Sequence, residues 1–403
     1  VRYRARLGEH TDAVEVSLPI LDPGTRRTLV EGRPIADDGA VTLTLPAERI
    51  SGTTRVEVVM STTVLSELKD AVQYLMRYPN GCIEQTTSTA YPLVVLRDLL
   101  PEIGVEVDMA DLEEFADAGI RRILSFQTPS GGLSYWPGGS QPHAFATAFG
   151  LTALIEGKKR GYDVPEQALE GMADYLESAL RRGEISGEMP HGGMADGDTR
   201  ALFVMTLGRL GRPQPAYVSS LWRERAELTP FGLSFLAIAV QEMPGDQSLL
   251  QPILAEIRRA AREGSDEAWY EGSRKGGWSF DSPLRTHASA LLAYASSEGS
   301  GEMTGTLLSG LHSRRRGGMW CNTQENVFGM MGVHRASVSG DGAQSPRIEL
   351  AVNSAAVPVS AMERVSERVL RRSLTGAELG LQPGTEGAVR CSLSSGGGPP
   401  VYL

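Results

Sequence analysis

Between about residues 61 and 340, apolar residues recur at intervals near 3.6 in about twelve separate segments, and this period constrains the fold more than any other feature. The segments run approximately over 63–77, 84–99, 108–126, 143–157, 165–182, 196–210, 216–226, 230–242, 247–262, 283–296, 302–314 and 322–335. A weak repeat passes through them. A Gly-Gly pair, often beside an aromatic, precedes a helix rich in small and apolar residues: Gly131-Gly132 with Tyr135-Trp136, Gly192-Gly193, Gly276-Gly277-Trp278, and Gly317-Gly318-Met319-Trp320. Repeated helical hairpins bury their faces against one another. Twelve helices make six hairpins, which fits an α6/α6 toroid with an inner ring of helices inside an outer one.

The flanks have a different texture. Residues 1 to about 60 alternate apolar and polar positions, as in Ala13-Val14-Glu15-Val16-Ser17-Leu18, Val41-Thr42-Leu43-Thr44-Leu45 and Thr54-Arg55-Val56-Glu57-Val58-Val59. Residues 346–403 return to that pattern, which is the mark of strands in an antiparallel, one-side-buried sheet. Each flank is short for a separate domain. The expected architecture is therefore mainly α with a β domain: 1–60 and 346–403 form a discontinuous β domain, and the helical residues 61–345 are inserted into it. Val1 to Leu7 reads directly as a strand with no charged-apolar signal ahead of it. The chain is thus expected to be a piece of a longer one, with any targeting or membrane-anchoring segment outside it.

A net charge of −10 argues against nucleic acid or an anionic membrane as the main partner. No apolar run is long enough to span a bilayer. The six histidines are scattered, no cysteine–histidine cluster has metal-ligand spacing, and neither a metal nor a cofactor is expected. Three cysteines, Cys82, Cys321 and Cys391, cannot all pair, so at least one is a free thiol or one masked by chemistry.

The chemistry concentrates in Tyr78-Pro79-Asn80-Gly81-Cys82-Ile83-Glu84-Gln85. Pro79 and Gly81 break any preceding helix and start a new one, so Cys82 is expected near a helix N-terminus. There the dipole and free N–H groups favour a thiolate and can polarise a carbonyl. Gln85 lies three positions on, on the same face of the first turn. A thiolate at Cys82 could attack the Gln85 amide carbon, expel ammonia and leave a thioester. Gly81 would allow the close backbone approach that a side-chain ring demands.

Cys82-Ile83-Glu84-Gln85 resembles the thioester motif of the α2-macroglobulin and complement family, and Tyr-Pro-Asn-Gly with Thr86-Thr87-Ser88 is most similar to its bacterial members. The resemblance covers essentially the whole chain, and it implies that the β domain is CUB-like. Cys82 and Gln85 would be the bonded pair. Glu84 belongs to the motif, either positioning the turn or assisting proton transfer. Tyr78 resembles the aromatic that shields the bond, with an ordinary helix-end aromatic as the other reading, and Asn80 replaces the usual second aromatic. His191 falls where complement proteins carry a histidine that directs transfer to hydroxyls. Its local sequence matches poorly, so a solvated loop histidine, with lysine amines as preferred acceptors, stands beside that reading.

The resemblance implies a non-enzymatic, broad-range endopeptidase inhibitor. A bait segment elsewhere in the full chain is cleaved, the molecule rearranges, and the thioester captures the attacking protease. Partners would be proteases and further domains of the same chain, with a location in the periplasm, in the cell envelope or outside the cell, in an innate-immunity-like defence. Two alternatives remain at this point: an α/α-toroid enzyme of cyclase or prenyltransferase type, or a non-reactive interaction module. Asp196-Gly197-Asp198 resembles cyclase acid motifs but reads as a helix N-cap. Arg314-Arg315-Arg316 reads as a solvated helix end, while Tyr135-Trp136, Trp278 and the run Trp320 to Glu325 read as structural.

Overall fold

A computed structural model of the chain describes residues 2–17, 24–32, 34–35, 38–50, 52–77, 81–100, 109–182, 197–271, 282–338, 349–366, 368–382, 384–394 and 401–403. Twelve α-helices lie among them: α1 Lys69–Arg77, α2 Ile83–Leu96, α3 Met109–Leu124, α4 Ala144–Lys159, α5 Glu166–Arg182, α6 Gly197–Arg209, α7 Pro215–Arg223, α8 Pro230–Glu242, α9 Leu250–Arg259, α10 Pro283–Glu298, α11 Glu302–His312 and α12 Thr323–Val338. Each segment read from periodicity overlaps one, with ends that differ by up to several residues. The first is divided: Val64–Leu68 is a 3-10 turn, capped by the Thr63 hydroxyl accepting from the Leu65 N–H at 3.3 Å, and α1 follows it.

The helices alternate in burial. Helix α4 hides thirteen of its sixteen residues, and α2, α6, α8, α10 and α12 are similarly enclosed. A helix enclosed on all sides needs small residues where neighbours approach. A Cβ at Gly332 of α12, for example, would come 3.0 Å from the Ala288 carbonyl of α10. The other helices keep one apolar stripe: α5 buries Leu169, Met172, Ala173, Leu176 and Leu180 and turns its charges outward.

The enclosed helices make a closed circuit of contacts, α2 on α4, α4 on α6, α6 on α8, α8 on α10, α10 on α12 and α12 back on α2. Each striped helix packs between two of them, with α1 bridging α12 and α2. Phe149 of α4, Phe231 and Phe235 of α8, and Phe328 of α12 meet at centroid distances of 4.6–6.0 Å. These three helices alternate around the circuit, so their contact fills its middle with aromatic side chains.

The strands are β1 Arg2–Leu7, β2 His10–Glu15, β3 Pro34–Ile35, β4 Asp38–Leu45, β5 Arg55–Ser61, β6 Arg262–Glu263, β7 Ala268–Trp269, β8 Glu349–Val352, β9 Ala355–Val357, β10 Glu363–Arg364, β11 Val369–Thr375, β12 Gly387–Ser394 and β13 Val401–Tyr402. One sheet runs β10-β11-β5-β13-β3 and another β4-β12-β8-β9, all antiparallel. Both sheets interleave strands from before and after the helices. Val56, Val58 and Met60 of β5 point inward at the strand period of two and share one core with Leu350, Val352, Val389 and Leu393 of the other sheet.

Strands β1 and β2 do not join these sheets. They pair only with each other among the described residues, and every residue of both is exposed, including Tyr3, Leu7 and Val14. Alternation specifies a strand and its face, but not which sheet receives it. No helix among the described residues is long and apolar enough to cross a membrane.

Candidate functional site at the start of α2

Cys82 is the N-cap of α2, with extended backbone (φ −74°, ψ 171°), and it is buried. Gln85 is the third helical residue, and the two form a reciprocal capping pair. The Gln85 N–H faces the Cys82 sulfur, and Gln85 Oε1 accepts from the Cys82 N–H at 3.3 Å. The carboxamide is thereby folded back over the cap. A Cβ at position 81 would collide with Gln85 Oε1 and lie 3.4 Å from Cδ, so Gly81 is what leaves room for the amide. Thiol and carboxamide are held together at the positive end of a fourteen-residue helix.

Glu84 faces the other way. It is buried, and its Oε1 accepts from Ser88 Oγ at 2.7 Å, Thr323 Oγ1 at 2.9 Å and Gln324 Nε2 at 2.8 Å. It therefore clasps the first turn of α2 to the first turn of α12, where the circuit closes. Of the two roles expected for Glu84, this arrangement favours positioning.

Tyr135 lies beside the start of α2. Its carbonyl accepts from the N–H of Ile83, the residue after Cys82, at 3.1 Å. Burial first, then the neighbouring Cys82 side chain, pushes the phenol well above its ordinary range. The ring meets His143 at 5.2 Å and the exposed Trp136 at 5.6 Å. His143 is the N-cap of α4, with Nδ1 accepting from the Ala146 N–H at 3.2 Å, and burial lowers its pKa to about 4. The imidazole beside Tyr135 is consequently neutral at pH 7.

Of the sequence-based site residues, Cys82, Gln85 and Glu84 share the first turn of α2, with Gly81 before it. Tyr78 and His191 lie outside the described residues, as do Asp196, Gly192-Gly193 and Trp278. Tyr135, expected to be structural, is tied to the start of α2 by its carbonyl's bond from the Ile83 N–H. Its only sequence signal, an aromatic after Gly-Gly, is common to the repeat. Asp198 is the second residue of α6, and its carboxylate accepts from Thr229 N–H and Oγ1, fastening α6 to the start of α8. Among the described residues no group of three or more His, Cys, Asp or Glu side chains is placed to hold a metal.

Residues 53–188 match the A-macroglobulin TED domain. An alpha-2-macroglobulin of Thermotoga maritima is 33% identical over 176 residues, which is 44% of this chain and 11% of the relative. The chain is related to the bacterial alpha-2-macroglobulins. Among solved structures, native alpha-2-macroglobulin from Escherichia coli, spanning domain MG7 to the C-terminus, superposes with a TM-score of 0.69 at 18% identity, covering 92% of this chain and 56% of that one. Salmonella alpha-2-macroglobulin reacted with methylamine superposes at 0.67 with 20% identity, covering 92% and 23%. These likenesses establish a shared fold, and the chain spans about a tenth of the length of its Thermotoga relative.

Proposed function

We propose that Cys82 and Gln85 form an internal thioester, and that the chain supplies the covalent arm of an alpha-2-macroglobulin-type endopeptidase inhibitor. The reading is carried by one observation: the Gln85 carboxamide is folded onto the Cys82 cap, in space that only a glycine at position 81 leaves open. In forming the bond, the Cys82 sulfur adds to the Gln85 acyl carbon and ammonia departs. In its use, an amine on the captured protease attacks the same carbon, the C–S bond breaks, an amide forms, and the amine's proton ends on sulfur. The Cys82 N–H already points at Oε1, where the oxyanion of either step would develop. Lysine amines are the acceptors in this account.

In the same reading the six-hairpin circuit, about 61–345, is an α6/α6 toroid, inserted into a CUB-like sandwich made by residues up to 60 and from 346 on. Bait cleavage and protease contact belong to other domains of a longer, extracytoplasmic chain. The toroid-enzyme alternative is disfavoured by the aromatics that fill the middle of the circuit, where such an enzyme needs an open cavity. The Salmonella neighbour's treatment with methylamine supports the choice of that probe. Intact mass decides the matter: the native chain is expected to weigh one ammonia less than its sequence, and methylamine is expected to add one equivalent and release one thiol. A mass equal to that of the plain sequence, with Cys82 alkylated from the outset, would overturn the reading.

A further inference from the structure

We propose that Thr147 is a positioning residue for the thioester: its buried hydroxyl fixes the loop that holds the Cys82–Ile83 peptide in the orientation of the Cys82–Gln85 pair. The inference rests on the thioester reading and adds to it what supports the bonded pair from outside its own turn. The cap that brings Gln85 over Cys82 includes an extended Cys82 backbone, with ψ at 171°. That angle sets where the next peptide group points, and the N–H of that group belongs to Ile83. Ile83 is the first residue of α2, so its N–H has no acceptor within the helix. Ile83 is fully buried, and its N–H donates to Tyr135 O at 3.1 Å. An acceptor brought in from another loop therefore holds the peptide next to the reacting sulfur.

The Tyr135 carbonyl is placed by the two residues before it. The Ser134 N–H and Oγ both donate to Phe126 O, at 2.9 and 3.1 Å, which closes the loop on itself. Leu133 ties the loop to α4. Thr147, the fourth residue of that helix, is fully buried, and its Oγ1 accepts from the Leu133 N–H at 2.8 Å and donates to His143 O at 2.8 Å. The His143 N–H donates back to Leu133 O at 2.7 Å. One hydroxyl thus serves a backbone group on the loop and another at the α4 cap, which a methyl group cannot do. Without it the Leu133 N–H is left in the interior with no acceptor, and the loop shifts to find one. Tyr135 O moves with the loop, the Cys82–Ile83 peptide is free to turn, and the Cys82 N–H no longer stays aimed at Gln85 Oε1.

Thr147→Val keeps the shape and removes the hydroxyl, whereas Thr147→Ser keeps the hydroxyl. Each chain is weighed for the loss of ammonia, thiol release by methylamine is timed, and urea unfolding is followed. Wild type and Thr147→Ser should both show the ammonia loss and release thiol at similar rates. Thr147→Val should release thiol about 10-fold more slowly, within the range for a displaced reacting group, or fail to lose ammonia at all. A hydroxyl with a merely structural role would lower the urea midpoint of Thr147→Val and leave its ammonia loss and thiol release as in wild type, and that result overturns the proposal. Thr147→Ser as slow as Thr147→Val overturns it too, because the hydroxyl is then not what matters. Should Thr147→Val fail to fold by circular dichroism, Thr147→Ala, which also lacks the hydroxyl, replaces it under the same criterion. Absence of ammonia loss in wild type overturns both this assignment and the thioester, whereas an unchanged Thr147→Val chain that carries the thioester overturns this assignment alone.

Discussion

Two helices of the circuit begin with a cysteine three residues before a glutamine, and the two pairs behave differently. At α2, Cys82 is itself the N-cap, its side chain is buried, and Gln85 folds back onto it. At α12, Cys321 precedes the cap. Asn322 Oδ1 accepts from the Glu325 N–H at 2.9 Å, and Glu325 Oε2 accepts from the Cys321 N–H at 2.9 Å. The Cys321 side chain is exposed, and Gln324 turns its Nε2 to Glu84 and Ser88. Spacing is therefore not what brings thiol and amide together. The cysteine must occupy the cap, and the residue before it must leave room for the amide.

The strongest way to break this contrast is Gly81→Ala. The added Cβ collides with Gln85 Oε1, so methylamine-releasable thiol should vanish while helical circular dichroism persists. Undiminished release would mean that the fold-back is not required. Next in size is Glu84→Ala, which leaves the buried donors of Ser88, Thr323 and Gln324 without their acceptor. A cost of about 3 kcal/mol in urea unfolding is expected. A loss below about 1 kcal/mol would show that the two helix starts are not clasped through this residue.

A comparable effect should follow pH, and it tests the ring apart from its thiols. His287 is buried, its Nε2–H donates to Leu307 O at 2.6 Å, and burial lowers its pKa to about 4 from an ordinary 6.5. The unfolded chain therefore binds the proton first. Stability is complete above about pH 6.5 and falls as pH drops towards 4, by about 3 kcal/mol at most. A urea midpoint unchanged between pH 7 and 4.5 would contradict an uncharged, buried ring. Smallest is Cys321→Ser: an exposed thiol ahead of the cap should cost less than about 0.5 kcal/mol and leave methylamine-driven release unchanged.

Much of the fold was legible because it is local. The 3.6 period located the helices, and Gly81-Cys82 placed the start of α2. That both ends of the chain carry strands was legible from texture, but the pairing of β5 with β11 and of β4 with β12 was not. The partner of β1 was not legible, since alternation carries no address. The site was legible only along its own turn. Tyr135 meets Ile83 across 52 positions of sequence and Gln324 reaches Glu84 across 240, contacts that arise when the helices close their circuit.

Site-resolved mass spectrometry after methylamine treatment tests the central claim most directly. Methylamine is expected on Gln85 with a newly alkylatable Cys82, and neither a change at Gln324 nor any gain at Cys321. An unmodified Gln85, or equal modification of Gln85 and Gln324, would contradict it.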